Sequence, residues 1–318
     1  MTPIVLVTGA DGFLGRHMVS ALTRAGWQVR RAQRSACPTS QNADIVTGLE
    51  LGPSTDWQAA LGGVQAVVHL AARAHRSSSV QEREKDLYFS VNVDGTMQLA
   101  RSAAAAGVRQ FIFLSSIAVN GSTTDGRKPF CERDSVAPKT IYGKTKAAAE
   151  LALSELAANS AMSITAIRTP MIFGPGAAGN FGRLLSAVRA GVPLPFGLIN
   201  NRRAFLGIDN LTSFIQHCLS APNSPRFKVF ILADNEQVST PEFIRLLARA
   251  SAQPVRLLPI PLPLLRPPMS YLGLTDALIG SLEVDAGKAK ATGWHCPLSL
   301  AEGLARAAMI FPALDQAA

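Results

Sequence analysis

The stretch Val5-Leu6-Val7-Thr8-Gly9-Ala10-Asp11-Gly12-Phe13-Leu14-Gly15 constrains this chain more than any other. An apolar run ends in three glycines spaced G-x-x-G-x-x-G, and an amphipathic segment from Phe13 to Ala25 follows, closed by Gly26. Strand, tight turn and helix start, in that order, are the context in which such glycines hold a dinucleotide. Gly9 permits the turn out of the strand, Gly12 lets the backbone approach a diphosphate, and Gly15 lets the helix pack against the sheet. The unpaired amides at the start of the helix then face the phosphates. Gly9, Asp11, Gly12, Phe13, Leu14 and Gly15 are therefore expected to contact the cofactor.

Downstream the pattern alternates. Apolar runs at 4–8, 27–32, 64–70 and 110–114 are separated by helix-like segments at about 13–25, 56–61 and 83–106. Short strands alternating with helices imply βαβ units and a parallel sheet. The expected fold is α/β, a Rossmann-type doubly wound parallel sheet with a smaller mixed α/β C-terminal lobe for the substrate. Ligands of such a sheet sit beyond the carboxyl ends of its strands. That rule selects Ala71, Ala72, Arg73, Ala74 and His75 after one strand, and Ser115 and Ser116 after another; Leu70, at the end of the first of these strands, is expected with Ala71 and Ala72 at the cofactor.

The chain has 318 residues, enough for one large domain or two unequal ones. The expected division is a dinucleotide-binding domain at 1–170 with parts of 204–235, and a substrate lobe at 171–203 and 236–318. Cys37, Cys131, Cys218 and Cys296 are scattered, with no C-x-x-C pair, so they read as free thiols and not as a metal site. The first strand begins by Ile4 and no long apolar run is free of charge and proline, so the expectation is a cytoplasmic protein without stable membrane insertion. The net charge of +9 comes with only 6% aromatics, which argues against nucleic-acid binding.

Much of that charge is local. Between Asp11 and Asp44 there is no acid, whereas Arg16, Arg24, Arg30, Arg31 and Arg34 all fall there. NAD sites usually carry Asp or Glu after the second strand to hold the ribose hydroxyls, and an Arg nearby accommodates the phosphate of NADP. Here that stretch is Val29-Arg30-Arg31-Ala32-Gln33-Arg34-Ser35. The expectation is NADP(H), with Arg34 among its contacts and NAD(H) as the alternative.

Tyr142 and Lys146 stand four residues apart in Ile141-Tyr142-Gly143-Lys144-Thr145-Lys146, at the start of a helix to about Ala158, and so share one helix face. A hydride moved at a C–O carbon needs a matching proton on the oxygen. For a tyrosine to exchange that proton near neutral pH its pKa must fall by roughly 3 units, about 4 kcal/mol. A cation about 5 Å away at an effective dielectric near 20 supplies about 3 kcal/mol. Lys146 is expected to do so, with Ser116 hydrogen-bonding the reacting oxygen. Asn92, in the helix opening Val91-Asn92-Val93-Asp94-Gly95-Thr96, is expected to hold a water or a backbone group near the lysine.

Together these pieces resemble the extended short-chain dehydrogenase/reductases, in the branch of nucleotide-sugar epimerases, dehydratases and reductases. The matching segments are TGADGFLG, VVHLAA at 67–72, SVNVDGT, FLSSIAVNG at 113–121, YGKTK and RTPMIFGPG at 168–176. The resemblance implies Tyr142 as catalytic acid/base, Lys146 as its partner, Ser116 as the hydroxyl beside it, and Asn92 as a structural or relay residue. Within the branch the chain looks like the UDP-N-acetylquinovosamine-type 4-reductases of surface-polysaccharide (O-antigen) pathways, which are similar to UDP-glucose 4-epimerase. The reaction implied is reduction of the C4 keto group of a UDP-4-keto-6-deoxy-N-acetylhexosamine. The alternatives are a UDP-sugar 4-epimerase with tightly held NAD and, more remotely, a non-catalytic dinucleotide sensor. Relatives pair the helices corresponding to about 83–106 and 142–158, which implies a homodimer.

Two departures stand out. Gly48-Leu49-Glu50-Leu51 replaces the family's Gly-Asp-Leu after the third strand, and Val119-Asn120-Gly121 replaces Val-Tyr-Gly. In the C-terminal third, Asn180-Phe181-Gly182 opens a helix whose amides could meet a second diphosphate, with an ordinary N-cap asparagine as the other reading. Asn201-Arg202-Arg203-Ala204 through Asp209 resembles the family's Arg-Asp segment, with Ala204 in the place of its Asp. That likeness implies Arg203 at the nucleoside diphosphate. His75, Ser115, Ser116, Asn180 and Arg203 form the expected substrate set, and no metal is expected.

Overall fold

A computed structural model describes residues 2–34, 44–74, 78–221, 226–271 and 275–309. Seven strands form one parallel sheet: β1 (Ile4–Thr8), β2 (Gln28–Ala32), β3 (Ile45–Val46), β4 (Ala66–His69), β5 (Gln110–Leu114), β6 (Ser163–Arg168) and β9 (Phe227–Ile231), in the order β3-β2-β1-β4-β5-β6-β9. Two short strands, β7 (Met171–Phe173) and β8 (Phe205–Gly207), pair separately in parallel. The chain leaves β1 in one direction across the sheet and returns to the other side at β4, so the order reverses between β1 and β4. Ligands of such sheets bind at that switch point. The central strands are apolar up to their carboxyl ends, where Thr8 and His69 stand, with Val5, Leu6, Val7, Ala66, Val67 and Val68 wholly buried, as strands covered on both faces require.

The helices of the first half are α1 (Phe13–Arg24), α2 (Gln58–Leu61), α3 (Ser78–Arg83), α4 (Lys85–Phe89), α5 (Thr96–Ala105) and α6 (Ile141–Ala158). The helical run expected over 83–106 is broken: a π-helical turn, Ser90–Gly95, separates α4 from α5 and carries Asn92. In the second half come α7 (Gly179–Arg189), α8 (Ile208–Ser220), α9 (Thr240–Ala250), α10 (Leu262–Tyr271), α11 (Gly287–Lys290) and α12 (Leu300–Ala308). Among the described residues no helix is long and apolar enough to cross a membrane.

The chain divides into two compact units. One comprises Met1–Gly121, Glu132–Thr169 and Thr212–Ile231; the other comprises Ser122–Cys131, Pro170–Leu211 and Leu232–Ala318. Each has its own core. In the first, Leu6, Trp57, Leu99, Phe111, Phe113, Leu153 and Ile164 pack between sheet and helices. In the second, Phe173, Phe181, Phe205 and Phe243 form an aromatic cluster in which Phe205 and Phe243 stack at 3.9 Å.

Candidate active site

The glycine turn has the geometry its spacing predicts. Gly9 adopts φ +66°, a conformation that costs a residue with a Cβ. A Cβ there would also stand 3.0 Å from the amide nitrogen of Ala71, so the turn lies directly against the end of β4. A Cβ on Gly15 would fall 2.0 Å from the Gly9 carbonyl oxygen, so α1 packs where only glycine fits. Gly12 is the N-cap of α1; no side chain caps the helix, and its first turn holds no acid. Its leading amides can therefore donate to an anion. Asp11 and Gly12 are exposed and Phe13 and Leu14 half-buried, as are Leu70, Ala71 and Ala72 across the turn. A narrow cradle of uncapped amides at the switch point of a parallel sheet fits the diphosphate of a dinucleotide.

The arginines after it divide by role. Arg30 is spent on structure, donating to the carbonyls of Ala60 at 3.0 Å and Gly62 at 2.7 Å. Arg31 is half-buried and Arg34 exposed at the end of β2. Ser35 and His75 lie outside the described residues, as does Cys37.

Tyr142 and Lys146 lie on the first turns of α6, whose N-cap Thr140 accepts from the Gly143 amide at 3.0 Å. A Cβ on Gly143 would come within 2.6 Å of the Ala118 carbonyl oxygen, so the helix start presses on the turn Ile117–Val119 that follows β5. Ser116 is the N-cap of that turn, accepting from the Ala118 amide at 3.2 Å. Tyr142, Lys146 and Ser116 are thus gathered at the carboxyl end of β5. The Lys146 ammonium donates to the Leu114 carbonyl at 2.8 Å, lies 4.4 Å over the Phe113 ring and 5.9 Å from the centre of the Tyr142 ring.

The electrostatics correct the sequence argument. Burial pulls Lys146 down to about 7, against an opposing pull from Glu150. Burial, with Tyr88 adding to it, pushes Tyr142 up to about 12. A cation about 6 Å from a phenolate contributes on the order of 3 kcal/mol at an effective dielectric near 20. Desolvation of both groups outweighs it, because the lysine sits under an aromatic ring and not in water.

Around the pair lies a buried polar network. Glu150, one turn beyond Lys146, forms an ion pair with Arg168 at 2.6 Å and accepts from the Ser115 hydroxyl; Arg168 also donates to Asn120 at 2.9 Å. Ser115 is 2% exposed and committed to this network, which leaves Ser116 as the serine open to a ligand. Asn92 does hold a backbone group. Its Oδ1 accepts from the Arg73 amide at 2.7 Å, and its Nδ2 donates to the Arg73 carbonyl at 3.0 Å and to Thr145 Oγ1 at 3.1 Å. Thr145 in turn donates to the Tyr142 carbonyl at 2.8 Å. Glu150 and Arg168 escaped the sequence reading, although the Tyr142–Lys146–Glu150 spacing of four was a visible stripe on one helix face.

In the second unit, α7 starts at Gly179 with Ala178 as N-cap and no side-chain cap. Asn180 is thus not the cap; it is exposed on the first turn. Arg203 is 8% exposed. Its guanidinium donates to the carbonyls of Asp276 at 2.6 Å and Gly280 at 2.5 Å. Burial pulls it down to about 10, partly offset by Asp276 and Asp125. Among the described residues no cluster of three or more His, Cys, Asp or Glu side chains could hold a metal ion.

Three comparisons bear on this geometry. The family model described as the NAD dependent epimerase/dehydratase family matches residues 5–233. A UDP-glucose 4-epimerase of Vibrio cholerae is 38% identical over 317 residues, covering 98% of this chain and 96% of the relative. An Escherichia coli O157:H7 N-acetyl-alpha-D-glucosaminyl-diphospho-ditrans,octacis-undecaprenol 4-epimerase is 26% identical over 96% of this chain and 94% of its own. The solved structure of MoeE5 in complex with UDP-glucuronic acid and NAD superposes with a TM-score of 0.75 at 27% identity, covering 95% of this chain and 96% of that one.

Proposed function

Because the chain belongs to the NAD-dependent epimerase/dehydratase family, a family of NAD-dependent enzymes acting on nucleotide sugars, we propose that it moves a hydride at C4 of a UDP-sugar, in the direction of reduction. The observation that carries the proposal is the Lys146 ammonium 5.9 Å from the centre of the Tyr142 ring at the end of β5, beside the half-buried Ser116. When bound, the nicotinamide supplies the hydride. Tyr142, protonated in this environment, gives its proton to the sugar oxygen, and Ser116 donates a hydrogen bond to the same oxygen. The Lys146 ammonium, 5.9 Å from the centre of the Tyr142 ring, stabilises the negative charge that grows on the phenol oxygen. Asn92 keeps the loop after β4 fastened to α6 through Arg73 and Thr145.

The preferred substrate is a UDP-4-keto-6-deoxy-N-acetylhexosamine, and the preferred cofactor is NADPH. What supports NADPH is the acid-free end of β2, where Arg34 is exposed and Arg31 half-exposed to meet an additional phosphate. The uncapped start of α7 with Asn180 is assigned to the UDP diphosphate; Arg203, expected there from the sequence, has its guanidinium committed to the carbonyls of Asp276 and Gly280 and is assigned to holding that segment in place. A second reading, a UDP-sugar 4-epimerase that retains NAD, is supported by the similarity to the Vibrio cholerae epimerase. The two separate on cofactor use. A reductase consumes added NADPH in proportion to sugar; an epimerase purifies with NAD and needs none. A homodimer through the helices near 83–106 and 142–158 belongs to the same proposal, supported by Leu87 and Leu151, which are 44% and 65% exposed there.

A further inference from the structure

We infer that His69 is a positioning residue for the dinucleotide: held as one neutral tautomer between two threonines, it sets the spacing between the glycine turn and the end of β4. The inference rests on the dinucleotide reading of that turn and goes beyond it, since His69 is wholly buried behind the residues that line the turn.

The tautomer follows from donor and acceptor arithmetic. The Thr96 hydroxyl donates to the Asn92 carbonyl at 2.8 Å, and a carbonyl can only accept. The contact between Thr96 Oγ1 and His69 Nε2 at 2.9 Å must therefore be an Nε2–H donating to Thr96. A neutral imidazole has one N–H, so Nδ1 is an acceptor. The Thr8 hydroxyl, 2.7 Å away, donates to it. Thr8 Oγ1 then has its lone pairs free for the amides of Leu70 and Ala71, both at 3.2 Å. Every hydrogen in this chain is used once.

The consequence is geometric. The Ala71 amide that Thr8 holds is the group 3.0 Å from where a Gly9 Cβ would stand, so the histidine fixes the wall opposite the cradle. At its other end the chain reaches Asn92, and through Thr145 the carbonyl of Tyr142. One hydrogen-bonded path therefore runs from the glycine turn to the helix of Tyr142. A protonated ring would need Thr8 to accept a third hydrogen and would leave its hydroxyl proton without an acceptor. Phe111 and Phe113 pack against the imidazole with ring centres 5.9 Å away, and burial together with Lys146 holds it down to about 3.

The test compares wild type with Thr8→Val, which keeps shape and removes the hydroxyl, and with His69→Gln. Dinucleotide affinity is measured by fluorescence titration and melting without dinucleotide by calorimetry, and the imidazole nitrogens are read by NMR. The expected result is dinucleotide binding on the order of tenfold weaker in Thr8→Val with cooperative melting retained. The wild-type imidazole should carry its proton on Nε2 and not titrate between about pH 5 and pH 8. Wild-type affinity in Thr8→Val, or a proton found on Nδ1, would overturn the assignment while leaving the dinucleotide reading intact. A wild-type protein that binds neither NAD(H) nor NADP(H) would overturn both.

Discussion

At the residue scale the account rests on one phenol and one ammonium. Tyr142→Phe removes only an oxygen, so the fold and dinucleotide binding should persist while turnover falls by a factor of about 100 or more. Steady-state rates beside a melting curve check this. Lys146 makes a pH prediction. Its ordinary value in an unfolded chain is about 10.4, and in the folded chain it is pulled down to about 7. Between those values the unfolded chain holds a proton that the folded chain lacks, so this lysine makes stability rise with pH across that window and lowers it below pH 7. Denaturant midpoints taken near pH 7 and near pH 9 should therefore differ less in Lys146→Met than in wild type. The closeness of Tyr142 and Lys146 was legible because residues four apart share one face of a helix. The pair's charge balance was not, because desolvation depends on Phe113 and on the Leu114 carbonyl, which arrive from a strand some thirty residues away. The commitment of Ser115 to Glu150 was hidden for the same reason: two adjacent serines look alike until the partner across α6 is placed.

At the scale of the element, the βαβ pattern was readable because strands covered on both faces leave continuous apolar runs, and the parallel sheet has them at β1, β4 and β5. The π-helical turn around Asn92 was not, since nothing in local periodicity separates it from the helix that follows. Its cause is tertiary: the Asn92 side chain is held by Arg73 and Thr145 on other elements. The glycine turn makes the sharpest prediction here. A Cβ on Gly15 would fall 2.0 Å from the Gly9 oxygen and 2.5 Å from Ala10 Cα, both backbone atoms that side-chain motion cannot clear. Gly15→Ala should cost on the order of 3 kcal/mol and depress dinucleotide affinity together with stability. Gly26→Ala is the contrast: a Cβ there meets nothing within 4 Å, and only its φ of +86° opposes the change. A thermal shift smaller for Gly26→Ala than for Gly15→Ala, with unchanged affinity, is the expected pattern.

For the whole molecule, the strand order and the family membership agree. The substrate lobe was the least readable part, because short strands and proline-broken segments carry little periodicity. Its buried arginine, Arg203, is bound to backbone carbonyls of a segment some seventy residues later, which spacing alone does not reveal. Assembly also belongs to this scale. Light scattering should give the mass of two chains, and Leu151→Glu, placing a charge on a 65% exposed leucine of α6, should shift it to one. The most direct test of the central claim is to mix the purified protein with NADPH and a UDP-4-keto-6-deoxy-N-acetylhexosamine and to follow the nicotinamide absorbance against sugar product. The account predicts one NADPH oxidised for each C4 carbonyl reduced. Turnover of UDP-sugars at C4 with no net loss of NADPH would contradict it.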